Sequence, residues 1–490
     1  MTASLSDVAA ALPSAERRGD DVALADATHD SRQVGPGWLF CAVRGRSVDG
    51  HDLAPAAVEQ GAAALLVDRW LDLPVPQVRV PSVREAAGPA AAVVHGNPSE
   101  QLRVVGVTGT NGKTTTVYLL EAAFAAAAMG TGVIGTVETR IHGETQPGVR
   151  TTPEGPDLQR LLRRMYDRGA DAVAMEVSSH GLDLHRVDGT RFAVGVWTNL
   201  SQDHLDWHET MEAYFAAKAR LFTPGLTDRG VVHLDSPWAR RLLEVAEVPL
   251  TTLGRDDDAD IRIVDEHADV TGSRARLVGD GIDLAIGTAF PGRFNLSNAA
   301  TAVVAAVAAG VPAEVAARGV AACPGAPGRL ERVDVGQPFT VLVDYAHTPD
   351  AVEQVLATVR DLLEPDRRVL VVLGAGGDRD RAKRGPMGAA AAGADVAVLT
   401  SDNPRTEDPR AILDAVAAGA NGAVTAGAPA EVHVEVDRRD AIAWALANAR
   451  DGDVVVIAGK GHETGQEFAD RTLPFDDRQV ARELLQETRP

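Results

Sequence analysis

Residues 106–115 combine glycine with hydroxyl and amide side chains and one lysine: Gly106-Val107-Thr108-Gly109-Thr110-Asn111-Gly112-Lys113-Thr114-Thr115. The run follows a short apolar segment and precedes one of helical composition, so backbone N–H groups and a helix N-terminus can surround a polyphosphate. Lys113 would reach the β- and γ-phosphate oxygens, and Thr114 or Thr115 would place a hydroxyl on Mg²⁺. Val107 occupies the first glycine position of a literal G-x-x-x-x-G-K-[ST] motif. We predict a nucleoside triphosphate site, with a structural turn as the alternative.

Two polar clusters come directly after apolar segments that read as buried strands. One is Glu176-Val177-Ser178-Ser179-His180, and the other runs from Asn199 to Asp206 and contains His204. Mg²⁺ prefers oxygen ligands, so Glu176 is a candidate ligand beside Thr114 or Thr115. A single acid or histidine at a strand end is more often a cap or a solvated side chain. Together with a lysine at position 218, these clusters predict a reactive site around the phosphate.

Lysine is rare in this chain. Lysine and arginine together number 48, and only four of them are lysine: Lys113, Lys218, Lys383 and Lys460. Unlike arginine, lysine can lose its proton and be chemically modified. We therefore expect these positions to need an ammonium or an amine, although a compositional bias could leave four lysines by chance.

The composition is that of an acidic globular protein. Its 490 residues are 45% hydrophobic and 24% charged, with a formal net charge of −21, which argues against a general binder of nucleic acid or anionic membranes. Cys41 and Cys323 form no metal or redox motif and fit a reducing cytoplasm. We see no signal pattern and no apolar run of transmembrane length, and we expect a cytoplasmic, monomeric protein.

The length predicts about three domains. We place them at residues 1–100, 101–325 and 326–490, with Cys323–Gly328 as a linker. Helices are predicted at Thr114–Met129 and Ala299–Ala309. Regular alternation of strands and helices after the linker predicts a mostly parallel sheet covered on both faces. The predicted strands are Trp38–Val43, Ala63–Val67, Arg103–Val107, Ala172–Met175, Val194–Trp197, Thr340–Val343, Val369–Leu373, Val396–Leu399, Val432–Val436 and Val454–Ile457.

Seven segments, in this order, resemble motifs of the Mur ligases: Thr108–Thr116, Glu176–His180, Asn199–Asp206, Lys218–Phe222, Asn295–Ala299, Asp344–His347 and Asp402–Arg405. The resemblance spans nearly the whole chain and is strongest to the MurE branch, which extends UDP-N-acetylmuramoyl-L-alanyl-D-glutamate. It implies an α/β fold of three domains: a small UDP-binding domain, a central P-loop-type ATPase domain with a parallel sheet, and a C-terminal Rossmann-like domain that binds the amino acid.

The resemblance also implies a reaction, an ATP-dependent amide-bond ligation in peptidoglycan precursor synthesis. The D-glutamyl carboxylate would attack the γ-phosphorus of ATP to give an acyl phosphate and ADP, and an incoming amine would then expel phosphate. Lys113, Glu176, His204 and Lys218 would be the catalytic set. One Mg²⁺ would be held by Glu176 with Thr114 beside it, and a second by His204 and Lys218, the last as a carbamate formed from CO₂.

Further site residues follow from the resemblance. ATP would be bound by Gly109, Thr110, Asn111, Gly112, Lys113, Thr114, Thr115, Asn295, Arg329, Asp344 and His347. The UDP-substrate would be bound by Ser31, Arg46, Ser47, Val48, Thr151, Thr152, Ser178 and Arg186. Leu184 departs from relatives that carry glutamine there, so we leave it out.

The incoming amino acid is the main specificity question. Asp402-Asn403-Pro404-Arg405 resembles the motif of enzymes that add meso-2,6-diaminopimelate, whose second carboxylate suits a bidentate guanidinium. The implied amino-acid site is Arg379, Asp402, Asn403, Pro404, Arg405, Gly459 and Glu463. Arg405 could instead cap the segment that follows it.

Three alternatives remain open from the sequence. They are a lysine-adding ligase of the same branch, a folylpolyglutamate synthase-like ligase, and a nucleotide-binding regulator without catalysis. Arg405 argues against the first, the N-terminal module against the second, and the retained set of Lys113, Glu176, His204 and Lys218 against the third.

Overall fold

The computed structural model describes residues 3–45, 47–148 and 150–487. They divide into two compact units. The first comprises Met1–Asp265, Arg276–Ile286 and Ser297–Cys323, and the second comprises Glu266–Ala275, Gly287–Leu296 and Pro324–Pro490. In the described part of the chain, no helix is both long and apolar enough to cross a membrane.

The N-terminal part of the first unit is a five-stranded sheet with the order β1-β5-β4-β3-β2, in which only β1 runs antiparallel to its neighbour. Apolar side chains pack on both faces of this sheet. The strands are β1 (Glu16–Arg18), β2 (Asp26–Thr28), β3 (Trp38–Cys41), β4 (Ala62–Val67) and β5 (Gln77–Arg79). The helices are α1 (Leu5–Ala11), α2 (Ala54–Glu59) and α3 (Val83–Val94), with 3₁₀ turns at Ser31–Gln33, Gly50–Leu53 and Pro98–Glu100.

A larger sheet of 11 strands follows, in the order β16-β15-β14-β13-β12-β11-β6-β10-β7-β8-β9. The neighbours from β13 to β7 are parallel, so the carboxyl ends of β6, β10 and β11 meet at one edge. The strands are β6 (Arg103–Thr108), β7 (Thr131–Ile134), β8 (Glu138–Ile141), β9 (Glu144–Pro147), β10 (Ala172–Glu176), β11 (Val194–Trp197), β12 (Gly230–His233), β13 (Leu250–Gly254), β14 (Ile261–Asp269), β15 (Gly272–Gly279) and β16 (Ile282–Thr288).

Helices connect these strands and supply two site residues directly. Helix α4 begins at Lys113, and α8, capped by Thr210, carries Lys218 near its end. The helices are α4 (Lys113–Ala126), α5 (Gly155–Asp167), α6 (Ser179–Asp183), α7 (Leu205–His208), α8 (Met211–Ala219), α9 (Pro237–Val245), α10 (Arg293–Ala308) and α11 (Ala313–Ala322), with a 3₁₀ turn at Arg220–Phe222.

The second unit is built on a six-stranded sheet with the order β17-β18-β22-β19-β20-β21, parallel except for β17. Its strands are β17 (Glu331–Val333), β18 (Thr340–Asp344), β19 (Val369–Ala375), β20 (Val396–Ser401), β21 (Glu431–Val434) and β22 (Val454–Ala458). Strands β23 (Gly465–Glu467) and β24 (Thr472–Pro474) pair separately. The helices are α12 (Pro349–Asp361), α13 (Arg384–Ala391), α14 (Pro409–Thr425), α15 (Arg438–Asn448) and α16 (Asp477–Glu487), with a 3₁₀ turn at Arg381–Lys383.

The predicted strands and helices are confirmed, with boundaries shifted by a few residues at most except for the start of α10. Along β19, Val369 and Val371 face one core while Leu370 and Val372 face another, which is why the sequence reads as a continuous apolar run. Only ten of the strands were predicted, and those missed include the β8–β9 hairpin and strands β14–β16. Strands β14 and β15 each have one partly exposed face, which leaves only a weak apolar signal.

A buried ion pair connects two strand ends in the second unit. Arg438 and Asp477 have fully buried side chains, and their closest N–O distance is 2.7 Å. Arg438 also donates to the carbonyl oxygens of Ser401 (3.3 Å) and Ala458 (2.9 Å), the last residues of β20 and β22. The guanidinium therefore fixes the points where the chain leaves the sheet and enters Asp402 and Gly459.

We predict that Arg438→Met lowers the free energy of unfolding of the second unit by about 3–5 kcal/mol, because it leaves Asp477 buried and unpaired. Denaturant unfolding followed by circular dichroism measures the loss. The double variant Arg438→Met/Asp477→Leu should recover much of it, since no buried charge is then left alone. Equal losses in the single and double variants would contradict this account.

Candidate active site

At two positions of the loop between β6 and α4, only glycine fits the backbone conformation and the space available. Gly112 has a φ of +84°, and a Cβ there would lie 2.3 Å from Oδ1 of Asn298. Gly109 has a φ of +152°, and a Cβ would lie 1.9 Å from Oγ1 of Thr198. The N–H of Asn111 donates to Oδ1 of Asn199 at 2.9 Å. The residues that follow β11 thus contact the loop in front of the N-terminus of α4. This is the arrangement expected of a phosphate-binding loop.

Two lysines share one carbonyl oxygen in this loop. Nζ of Lys113 donates to the carbonyl oxygens of Gly109 (2.9 Å) and Thr110 (2.8 Å), and Nζ of Lys218 donates to that of Gly109 at 2.8 Å. Lys218 is 1% exposed and its Nζ lies 4.7 Å from the ring centre of Tyr214. Burial, and then the charge of Lys113, lowers the pKa of Lys218 well below its ordinary value. The surroundings of Lys218 therefore favour its neutral amine over its ammonium form.

Glu176, the last residue of β10, faces the start of α4. Its carboxylate accepts hydrogen bonds from Oγ1 of Thr114 (3.0 Å) and from the N–H (2.9 Å) and Oγ1 (3.2 Å) of Thr136. A Cβ on Gly135 would lie 2.6 Å from Oε1 of Glu176. The buried carboxylate and the hydroxyls form the oxygen-rich environment that Mg²⁺ prefers. No sequence motif pointed to Thr136, which follows β7 and meets Glu176 because β7 and β10 are neighbours in one sheet.

Three histidine rings, those of His180, His204 and His208, lie close together in the segments that follow β10 and β11. His204 precedes α7 with a φ of +53°, and its Nε2 lies 3.3 Å from Oδ2 of Asp203. The ring centre of His180 lies 4.8 Å from that of His204 and 5.6 Å from that of His208. Burial, followed by these neighbours, lowers the pKa of His180 to about 4, and burial also lowers that of His204. A neutral imidazole keeps the lone pair that a metal ligand needs.

The predicted sugar-peptide residues lie beside Glu176. Oγ1 of Thr152 donates to the carbonyl oxygen of Glu176 (3.0 Å) and accepts from the N–H of Ser178 (2.9 Å), and Oγ1 of Thr151 lies 2.9 Å from that of Thr136. Nη1 of Arg186 donates to the carbonyl oxygen of Thr152 at 3.3 Å. The structure therefore brings Thr151, Thr152, Ser178 and Arg186 together.

Glu154, which was not predicted from the sequence, orients Arg186. Glu154 is 8% exposed and forms ion pairs with Arg186 (3.0 Å) and Arg84 (2.7 Å). Burial alone would raise the pKa of Glu154, but the arginines hold it below its usual value. The cations around Glu154 outnumber it, which suits an anionic substrate.

The residues predicted for the uridine end lie in the N-terminal sheet region. Ser31 is buried at the start of a 3₁₀ turn that Asp30 caps through the N–H of Arg32 at 3.0 Å. Ser47 and Val48 lie in a turn, where Val48 is 54% exposed. Arg46 lies outside the described residues.

Three of the predicted nucleotide residues, Arg329, Asp344 and His347, lie around the end of β18. The carboxylate of Asp344 accepts from the N–H groups of Leu330 and Ala346, both at 2.8 Å, and burial raises its pKa although Arg329 opposes this. The guanidinium of Arg329 lies 4.9 Å from the ring centre of Tyr345, and the ring centres of His347 and His462 lie 4.5 and 4.9 Å from it. Asn295, at the start of α10, donates to the carbonyl oxygen of Pro291 at 2.9 Å.

Asp402–Arg405 follows β20, and a hydrogen-bond network orients Arg405. Its Nε donates to Oε2 of Glu467 (2.7 Å) and its Nη1 to the carbonyl oxygen of Gly377 (2.8 Å). A Cβ on Gly376 would lie 3.2 Å from Nη1 of Arg405 and 3.7 Å from Cγ of Arg379, so the side chains of both arginines lie beside this glycine. Helix α14 is capped by Asp408, which removes the capping role considered for Arg405.

The other predicted amino-acid residues adjoin this network. Gly459 has a φ of +110°, and a Cβ there would lie 2.9 Å from Oδ2 of Asp402. Nδ2 of Asn403 donates to Oε2 of Glu463 at 2.8 Å. Pro404 packs against Gly377, where a Cβ would lie 1.9 Å from the proline carbonyl oxygen. Among the described residues, no group of three or more His, Cys, Asp or Glu side chains could hold a metal ion.

Comparisons with known proteins agree with this geometry. Three family models match successive stretches of the chain: the Mur ligase family catalytic domain at residues 27–104, the Mur ligase middle domain at 107–306, and the Mur ligase glutamate ligase domain at 328–461. A solved structure of a UDP-N-acetylmuramoyl-L-alanyl-D-glutamate–2,6-diaminopimelate ligase is 34% identical, covers 95% of each chain and has a TM-score of 0.72. A folylpolyglutamate synthase from Mycobacterium tuberculosis has a TM-score of 0.61 at 22% identity, over 77% of this chain and 92% of that one, which shows a shared fold alone.

Curated relatives are similar over almost their whole length. The UDP-N-acetylmuramoyl-L-alanyl-D-glutamate–2,6-diaminopimelate ligase of Streptomyces avermitilis is 48% identical, over 96% of this chain and 94% of the relative. The protein of that name from Geobacillus thermodenitrificans is 46% identical, over 94% of each. With identity at this level and three consecutive family domains, the chain belongs to the Mur ligase family.

Proposed function

We propose that this chain is an ATP-dependent ligase that adds meso-2,6-diaminopimelate to the D-glutamate of UDP-N-acetylmuramoyl-L-alanyl-D-glutamate, in peptidoglycan precursor synthesis. The observation that carries the proposal is 48% identity to a relative of that name over 96% of the chain. The phosphate loop and the Asp402–Arg405 network support it, since they supply the two chemistries that the reaction needs.

The first step is the transfer of a phosphoryl group to the substrate. An oxygen of the D-glutamyl carboxylate attacks the γ-phosphorus, the bond from that phosphorus to the bridging oxygen breaks, and ADP leaves. Lys113 and the N–H groups of residues 109–112 hold the phosphate oxygens and stabilise the charge that develops there. Thr151, Thr152, Ser178 and Arg186 hold the sugar-peptide so that its carboxylate is oriented for attack.

The second step forms the amide bond. The neutral amine nitrogen of the amino acid attacks the carbonyl carbon of the acyl phosphate, the carbon–oxygen bond breaks, and inorganic phosphate leaves while the nitrogen releases a proton. Arg379 and Arg405 bind the carboxylates of diaminopimelate, and Glu463, with Asp402, Asn403, Pro404 and Gly459 around it, receives the distal ammonium. Fixing both ends of the amino acid orients the reacting amine.

The residues near the phosphate loop fit Mg²⁺. Glu176, with Thr114 beside it, would hold one ion, and His204 with a carbamate on Lys218 would hold a second. The two ions would neutralise negative charge on the phosphate and carboxylate oxygens. Carbamylation needs a neutral amine, whose nitrogen attacks the carbon of CO₂ and releases a proton. The lowered pKa of buried Lys218 supports this modification.

The remaining assignments concern the substrates and the division of the chain. Asn295, Arg329, Asp344 and His347 are assigned to the base and ribose of the nucleotide, and Ser31, Arg46, Ser47 and Val48 to the uridine end of the sugar nucleotide. Residues 1–100, 101–325 and 326–490 are assigned to the UDP-substrate, ATP and amino-acid domains. We further propose that the protein is monomeric and acts in the cytoplasm on small-molecule substrates.

Lys113→Ala should abolish ADP formation, because it removes the cation that faces the transferred phosphate. Binding of the UDP-substrate should change by less than about twofold, since Thr152 and Arg186 hold that substrate without Lys113. Coupled ADP release and calorimetric titration measure the two quantities. A collapse of the UDP-substrate affinity in this variant would contradict the assignment.

Lys218→Ala should lose most of its activity and regain part of it when a short carboxylic acid is added, because the acid replaces the carbamate. Lys218→Arg should be inactive, since a guanidinium cannot be carbamylated. Labelling with ¹³CO₂ should give a carbamate resonance in the wild type that is missing in Lys218→Ala. The matched control is Lys383→Ala, which changes an exposed lysine and should respond to neither treatment. An active Lys218→Arg enzyme would refute the carbamate.

Arg405→Ala should raise the Michaelis constant for meso-diaminopimelate, leave those for ATP and the UDP-substrate nearly unchanged, and shift preference toward lysine. Loss of one partner of a desolvated charge pair costs about 2–5 kcal/mol, which is roughly a thirty- to several-thousand-fold change in the specificity ratio. ADP release with diaminopimelate or lysine gives that ratio in wild type and variant. An unchanged ratio would place the distal carboxylate elsewhere, and no diaminopimelate-dependent ADP release in the wild type would refute the proposed function.

A further inference from the structure

Lys460 is one of only four lysines in the chain and is completely buried, between the end of β22 and the start of β23. Its Nζ donates to the carbonyl oxygen of Gly465 (2.6 Å), Oε2 of Glu463 (3.0 Å) and Oδ1 of Asn403 (3.1 Å). Oδ1 of Asp402 lies 3.8 Å away. The three N–H groups of one ammonium therefore meet three acceptors, two of which belong to residues assigned to the amino-acid substrate.

Lys460 fixes the orientation of the Asn403 amide. Oδ1 of Asn403 accepts from Lys460 and from the N–H of Glu467 at 3.0 Å, and both of these groups can only donate. The oxygen must therefore face Lys460, which turns Nδ2 toward Oε2 of Glu463 at 2.8 Å. Without the lysine, the amide could rotate and present its nitrogen to the same space.

Lys460 also determines which oxygen of Glu463 is available. The hydrogen bonds from Lys460 and Asn403 both end on Oε2, and in the described part of the chain no hydrogen bond ends on Oε1. Burial alone would raise the pKa of Glu463, but Lys460 and Asn403 hold it below its usual value. The carboxylate is thus kept ionised, with one oxygen available to a cation.

We propose that Lys460 is a positioning residue for the amino-acid substrate: it orients Asn403 and holds the Glu463 carboxylate so that Oε1 receives the distal ammonium of a diamino acid. This inference rests on the proposed function, which assigns Asn403 and Glu463 to that substrate. It also explains why a lysine persists at this position in an arginine-rich chain. A guanidinium carries five N–H donors in a planar fork, too many and too large for an enclosure that offers three acceptors.

The test uses the full-length Lys460→Met variant, which keeps the length of the side chain and removes its charge. We expect the Michaelis constant for meso-diaminopimelate to rise at least about tenfold, while those for ATP and the UDP-substrate change less than about twofold. Lys383→Met removes an exposed lysine of the same unit and should match the wild type in all three constants. Lys460→Arg should behave like Lys460→Met.

Two readouts separate positioning from a structural role. If Lys460 acts through Glu463, the double variant Lys460→Met/Glu463→Gln should be no worse than Glu463→Gln alone, whereas independent effects would add. The acid limb of kcat/KM for diaminopimelate should move to higher pH in Lys460→Met. Binding of the ammonium needs ionised Glu463 and is lost as pH falls through its pKa, which rises when the lysine is removed. The charged and titratable groups that face Glu463 are Lys460, Asp402, Tyr345, Arg438 and His462.

The outcomes distinguish this inference from the proposed function. A wild type that releases no ADP with diaminopimelate refutes the function itself. A wild type that uses diaminopimelate, combined with a Lys460→Met variant equal to Lys383→Met, refutes the positioning role alone. Lys460→Gln, which keeps a donor in the same space, is the second variant should Lys460→Met not fold. Loss of folding in both variants, or additive effects in the double variant, would make Lys460 a structural residue and overturn the inference.

Discussion

The carbonyl oxygen of Gly109 receives hydrogen bonds from both Lys113 and Lys218, and much of the phosphate site depends on this shared acceptor. Two ammonium groups on one oxygen repel each other, and burial adds a further cost to charging Lys218. Both effects favour a neutral Lys218 amine and an anion bound beside the two lysines. A neutral buried amine is what carbamylation needs, and a surplus of positive charge is what a polyphosphate needs. This geometric constraint supports both the carbamate and the polyphosphate site that we propose.

The parallel sheet makes this arrangement possible. Because β6, β10 and β11 are adjacent and parallel, the loops that follow them meet at one edge, where Lys113, Glu176 and His204 come from three separate parts of the chain. The second unit repeats the principle with β19, β20 and β22, whose ends carry Arg379, Asp402 and Gly459. In both units, apolar strands bury the sheet while the polar groups collect where the strands end.

Buried charges in the second unit are organised as a network. Arg438 and Asp477 fix the strand ends, and Lys460 connects Asn403 to Glu463. Burial raises the pKa of Asp402, whereas the nearby Arg438 and Lys460 lower it. Each of these buried ions has an opposite partner, so none of their charges is left unpaired. The network lies at the site that we propose for the amino-acid substrate.

The sequence by itself determined the fold class and the family, and it located ten of the strands. It also determined that Lys113, Glu176, His204 and Lys218 belong to motifs, because local spacing and residue type carry that information. The tertiary structure decided which atoms meet. Thr136 reaches Glu176, Glu154 orients Arg186 and Glu467 orients Arg405 through contacts that span 32 to 62 residues along the chain, which no local pattern encodes. Lys460 illustrates both contributions. The rarity of lysine marked this position in the sequence, but its proposed role depends on burial among hydrogen-bond acceptors that only the folded structure brings together.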